Sequence, residues 1–373
     1  MKKIIACLLL LSTWLLMACT EQERFSFAPM RHAQLLRWQE GDGWTGVEVM
    51  DAWHAGQVAQ RYILVPDTVS LSADLPEGLV VRTPLRRAVL LSSVHGALMA
   101  DLHCLDQVAG LCDAEYIQDR RLLEELQAQH LANLGSSMTI NAEAMMAAAP
   151  DAFFVSPFEN AGYGHLETMK VPLIICADYM ETSALGRAEW MKFYGRLMGK
   201  DRVADSLFAV VEANYLALCQ QAQAVAVQPS LLCDLKQGSA WYVPGGKSYL
   251  GQLFADAGAH YLFASQPVQG SVSLSPEQVY ATGHEADYWL VKYGRKTSYT
   301  YRELAKEDPR YSHFKSWQER RILGCNTLEV PFYEEVPFHP DRLLDNLIRL
   351  FHPGLLAPAH TPDSLPYYRP MAE

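Results

Sequence analysis

Two stretches about 130 residues apart repeat one pattern, and that pattern restricts what the chain can fold into. Residues 139–155 read TINAEAMMAAAPDAFFV, and residues 273–291 read SLSPEQVYATGHEADYWLV. In each, a polar capping residue (Asn141, Ser275) precedes a glutamate in the first helical turn (Glu143, Glu277). A short apolar helix follows, and then a run too uniformly apolar to have a wet face. Asn and Ser cap by accepting a free N–H, Pro276 at the first turn costs no hydrogen bond, and an acid there complements the helix dipole. Strands buried on both faces and alternating with helices require parallel βαβ units. One such unit in each half implies a chain built twice.

The rest of the sequence fits two halves. RAVLLSSV (87–94), AFFVSP and VPLIICA are short apolar runs separated by helical patterns, and the style restarts after Pro229 with SLLCDL, YLGQLFADAGA and DYWLVKYG. Between the halves, Trp190, Phe193, Tyr194, Leu197 and Met198 form an apolar stripe at helical spacing. Gly199 ends that helix, and a second runs from Asp201 to about Ala224, roughly 36 Å at about 1.5 Å per residue. Ahead of the first half, AQLLRWQE, WTGVEVMDAW and QRYILVP read as an antiparallel meander with tight turns. HPDRLLDNLIRLFHPGLL closes the second half with an amphipathic helix.

At 373 residues, half of them apolar and a fifth charged, the chain is long enough for two cores and not disordered. Its net charge of −11, with no Lys/Arg stripe, argues against nucleic-acid binding. The start, MKKIIACLLLLSTWLLMAC, has the form of a secretory signal peptide, too short to span a membrane. Its ending, Leu16-Met17-Ala18-Cys19, resembles a bacterial lipobox. That implies lipidation at Cys19, with the protein anchored to a membrane in the cell envelope and facing the periplasm or exterior. Of the eight cysteines, Cys7 and Cys19 fall in this segment, and the wide spacing of the other six gives no pairing. No HExxH, GxSxG or zinc-spaced cysteine pair occurs, and Gly245-Gly246-Lys247-Ser248 lacks the first glycine of a phosphate loop, Trp241 standing there. Neither a catalytic constellation nor a cofactor or metal site emerges.

Taken together, NAEAMMAAAPDAFFVSP, SPEQVYATGHEADYWLV, the long middle helix and RAVLLSSVHGALMADL resemble the substrate-binding proteins of ABC importers of the iron-siderophore, haem and cobalamin class. The resemblance covers roughly residues 86–352. It implies an α/β fold of two Rossmann-like lobes with parallel-rich sheets joined by one long α-helix, the N-terminal antiparallel meander being an addition. The expected divisions are a signal peptide (1–18), a tether (19–30), an N-terminal lobe (31–200, with the meander at 31–85), an interlobe helix (201–224), a C-terminal lobe (225–352) and a C-terminal tail (353–373).

The resemblance also implies that Glu143 and Glu277, one per lobe, dock into the two subunits of an ABC permease, which works with its ATPase. Ligand contacts are expected in the loops after the parallel strands. In the first lobe these are Ser93 and His95 (with Ser92), Ser136 and Ser137, and Phe158 and Tyr163 within SPFENAGY. In the second they are Trp241 and Tyr242 on a Gly/Pro-rich loop, with Lys247, and Lys292 with Tyr293. His95, Tyr163 and Tyr242 are possible iron ligands. The expected cargo is a ferric siderophore or haem. Cobalamin is the alternative, although the tryptophans that cobalamin binders of this class place in the first-lobe loops are replaced by Ser136-Ser137 and Pro157-Phe158. From other classes, a lipoprotein enzyme or a surface interaction protein on the same scaffold fits the composition.

Overall fold

The computed structural model describes residues 25–71, 74–358 and 361–373. The signal peptide and the Cys19 lipidation position lie outside the described residues. Among those described, no helix is long and apolar enough to cross a membrane.

The N-terminal sheet has the order β1 (Ala28–Pro29), β2 (Leu36–Gly41), β3 (Trp44–Met50), β4 (Val58–Pro66), β5 (Leu79–Thr83). β2, β3 and β4 form the expected antiparallel meander, β1 adds to it antiparallel to β2, and β5 returns parallel to β4. The expected tether is therefore partly structured, because β1, within 19–30, pairs with β2.

The first lobe follows as β6 (Ala88–Leu90), α1 (Ser93–Asp101), β7 (Val108–Leu111), α2 (Arg120–Gln127), β8 (Ala132–Asn133), α3 (Ala142–Ala147), β9 (Ala152–Val155) and β10 (Leu173–Ile175). Its sheet has the order β10-β9-β6-β7-β8, all parallel. β6 and β9 are buried along their whole length, which is why they read as unbroken apolar runs.

Two helices, α4 (Ala184–Glu189) and α5 (Met191–Leu197), lead to α6 (Asp201–Gln223), which carries the chain to the second lobe. Phe208, Val211, Tyr215, Cys219 and Ala222 are its buried stripe. The second lobe contains β11 (Ser230–Cys233), β12 (Lys236–Gln237), β13 (Ala240–Pro244), α7 (Tyr249–Asp256), β14 (His260–Tyr261), β15 (Ser271–Leu274), α8 (Pro276–Gly283), β16 (Tyr288–Tyr293), α9 (Tyr301–Glu307), α10 (Lys315–Gln318), β17 (Ile322–Asn326), α11 (Phe332–Glu335), α12 (Pro340–Phe351) and β18 (Arg369–Pro370). Its main sheet runs β14-β11-β16-β17-β18, with β12, β13 and β15 in a separate small sheet. β18 is antiparallel to β17, and Tyr367 and Tyr368 are buried. The C-terminal segment is thus an integral edge of the lobe instead of a tail.

The long helix is not the lobes' only connection. α4 packs on α7, with the Arg187 guanidinium 4.8 Å from the Tyr249 ring centroid, and α11 packs on α1. Glu334 on α11 accepts from the Gln118 and Asp119 N–H groups at 2.9 and 3.0 Å, and His339 Nε2 lies 2.8 Å from Asp101 Oδ2.

Candidate ligand cleft

In a parallel sheet, ligands bind beyond the carboxyl ends of the strands where the strand order reverses. β6 and β9 meet at that point in the first lobe, and β11 and β16 in the second. The second-lobe point opens into a pocket of about 400 Å³. Asp234, just past β11, has φ +61°, a left-handed conformation uncommon for any residue but glycine. Lys292 Nζ, near the end of β16, lies 3.3 Å from Asp234 Oδ1 and 5.7 Å from the Phe332 ring centroid. Burial works against the Lys292 ammonium, but Asp234 together with Tyr333, Tyr249 and Cys233 outweighs it, and its pKa is raised. Lys236 donates to Asp308 at 2.7 Å and Arg295 to Glu307 at 2.8 Å. The exposed rings of Tyr242 and Tyr333 complete the wall. Burial raises the Tyr293 and Tyr299 phenols, so they stay protonated. The pocket thus presents ion-paired Lys292, Lys236 and Arg295, with their carboxylates, beside neutral phenols, a lining suited to a polar ligand.

A larger cavity, about 610 Å³, lies between α6, α12 and residues 364–367. No strand end reaches it, so the smaller pocket is the better ligand site despite its size. The smaller one is lined by the second lobe alone, and one of its lining residues, Tyr333, immediately precedes Glu334, which reaches into the first lobe.

On the first-lobe side, Ser92 caps α1 and Ser93 opens it, half-buried. Ser136 accepts from the Met138 N–H at 3.2 Å, and Ser137 donates to Asp113, which also accepts its N–H at 3.0 Å. These serines shape the loop before α3, and the Ser137 hydroxyl is already engaged. Phe158 is 61% exposed. Tyr163 is half-buried, and burial raises its phenol, which opposes a phenolate role in binding iron.

Two expected contacts are corrected. Trp241 stands on β13, not on a loop, and strand alternation turns it inward while Tyr242 faces out. It is fully buried against Trp289 and Tyr311, and its indole donates to the Cys233 carbonyl at 3.0 Å. His95 is buried 3.1 Å from Asp178 Oδ1 and packs on Tyr194 and Phe338, so it is a core residue in this structure. Asp234, Lys236, Arg295 and Tyr333 were missed. Asp234 and Arg295 lie just past strands, Lys236 opens the two-residue β12 and Tyr333 sits inside the four-residue α11, and no local pattern announces them.

Glu143 and Glu277 are both exposed in the first turns of α3 and α8, behind Asn141 and the Ser275–Gln278 capping box. The six cysteines among the described residues are all free and buried.

A family model described as periplasmic binding protein matches residues 111–327, more than half of the chain. An uncharacterized lipoprotein of Methanocaldococcus jannaschii is 24% identical over 287 residues, 74% of this chain and 67% of that protein. Among solved structures, a periplasmic heme binding protein from Pseudomonas aeruginosa has a TM-score of 0.60 at 17% identity, covering 77% of this chain and 98% of its own. An ABC-type Fe3+-hydroxamate transport system protein from Saccharomonospora viridis has a TM-score of 0.58 at 19% identity, covering 72% and 94%. At such identities the structural likeness speaks for the fold alone, whereas the family match covers β9 of the first lobe and both strands of the second-lobe switch point. This chain belongs to the periplasmic binding protein family.

Proposed function

We propose that this protein is the substrate-binding lipoprotein of an ABC importer. It captures an iron chelate, a ferric siderophore or haem, between its two lobes and delivers it to the permease. The observation that carries this reading is the second-lobe pocket at the β11/β16 switch point, where Lys236, Lys292 and Arg295 stand beside the rings of Tyr242 and Tyr333. These cations, each held in an ion pair, have further N–H groups to donate to the oxygen-rich rim of a metal chelate, and exposed rings suit its flat or apolar body. The heme-binding and Fe3+-hydroxamate proteins that share the fold support the same cargo class. Nothing favours cobalamin, since Trp241 is in the core. Cys19 would hold the protein to the membrane, and the reading assigns it no chemistry of its own.

Glu143 and Glu277 are the docking acids in this reading, one for each permease subunit. Exposed charges of this kind set registration and encounter more than ligand affinity. The double variant Glu143→Ala/Glu277→Ala is expected to lower uptake by roughly tenfold or more while leaving ligand affinity near wild type. Unchanged uptake in cells would remove the docking assignment.

A further inference from the structure

The N-terminal sheet precedes the residues matched by the family, and it is fastened to the first lobe at one particular place. Tyr62, in the middle of β4, is fully buried. Its hydroxyl donates to the Leu173 carbonyl and accepts from the Ile175 N–H, both at 2.8 Å. β10 is the edge strand of the first-lobe sheet, so these are groups that a further strand would have paired. One phenol satisfies both and holds β4 alongside β10.

That attachment decides where the β3–β4 loop, residues 51–57, must lie. Trp53 and His54 line a cavity of about 170 Å³ together with Ile175 and Ala177, at and beyond the end of β10, and with Phe158 and Tyr163, beyond the end of β9. Those ends are the ligand side of the lobe, β9 being one of the two strands at its switch point. Asp51 sets the loop's shape by accepting from the Trp53 and His54 N–H groups at 2.8 and 3.0 Å. Its other oxygen is 3.1 Å from His54 Nδ1, which leaves the imidazole Nε2 on a side chain that is 57% exposed.

We propose that loop 51–57 is an extra wall of the ligand cleft, with Trp53 and His54 touching the cargo. The wall selects a chelate with a flat or aliphatic face to lie on Trp53 and Phe158, and with a polar group within reach of His54. The cations of the second-lobe pocket take the opposite, oxygen-rich side. This inference rests on the cleft being the cargo site.

The test compares the full-length protein with Trp53→Ala, His54→Ala and the double variant, titrated with haemin, a ferric trihydroxamate and a ferric tricatecholate. The double variant is expected to bind the wild type's preferred probe roughly tenfold more weakly, with circular dichroism unchanged. His54→Ala removes a largely exposed side chain, so it keeps a reading available if Trp53→Ala misfolds. Ala55→Cys carrying an environment-sensitive fluorophore supplies a second one, and its emission is expected to shift on adding the same probe. A double-variant affinity within twofold of wild type, or a silent fluorophore at saturation, overturns the inference while leaving the chelate reading standing. A wild type that binds none of the three probes overturns both.

Discussion

At the scale of single residues, the core of the first lobe is held by a buried charge cluster. Asp178 accepts from the Tyr194 hydroxyl at 2.8 Å and from Arg187 Nε at 3.1 Å, and it pairs with His95. Burial alone would raise its pKa, but His95 and Arg187 bring it down to about 2. Burial opposes the His95 charge in turn, but Cys176 and Asp178 outweigh it and raise the ring to about 10. The depressed carboxylate contributes stability above its unfolded pKa, lost as pH falls towards 2. The raised imidazole contributes below its unfolded pKa, lost as pH climbs towards 10. Asp178→Asn leaves two buried cations without their anion and is expected to cost about 3–5 kcal/mol in urea denaturation at pH 7. A loss below about 1 kcal/mol would contradict the cluster's role. None of this was legible in the sequence, because His95 and Asp178 are 83 positions apart. A histidine at a strand–helix junction looks the same whether it faces ligand or core. Trp241 misled for a related reason: the Gly/Pro-rich context suggested a loop, but pairing with β15 makes it a strand, and alternation then buries it.

At the scale of elements, four-residue α11 joins parts of the molecule that are remote in sequence. Phe332 lies beneath Lys292, Tyr333 lines the pocket, Glu334 caps the first lobe's chain ahead of α2, and Glu335 accepts from the Tyr367 hydroxyl at 2.8 Å. Burial pushes the Glu334 carboxyl up to about 7, aided by Asp119 and only partly countered by the two N–H groups. A carboxyl with a raised folded pKa binds more protons in the native than in the unfolded state between its two pKa values. This contact therefore loses stability as pH rises from about 4.5 to 7. Glu334→Gln keeps an accepting oxygen and cannot ionise. Melting curves from pH 5 to 8 are expected to show wild type falling relative to the variant, and parallel curves would contradict the assignment. Elements of this length have no period to read, so α11 was invisible beforehand. The strands and α6 were legible because burial on both faces, or along one stripe, leaves a pattern.

At the scale of the whole molecule, the repeated glutamate–helix–strand phrase reported the two-lobed design correctly, since each lobe uses the same unit to feed a strand buried fully (β9) or through its middle (β16). The return of the C-terminal segment as β18 was hidden, because a two-residue edge strand pairs without any hydrophobic pattern. The N-terminal sheet was legible as strands but not as a partner of β10, a contact made by one tyrosine side chain. The central claim is that the cleft holds an iron chelate, and ligand-dependent unfolding of the purified, ligand-free protein tests it most directly. One of haemin or the ferric siderophores is expected to stabilise the protein by about 2.7 kcal/mol at a hundred times its Kd. Stabilisation by cobalamin alone, or by none of these compounds, would contradict it.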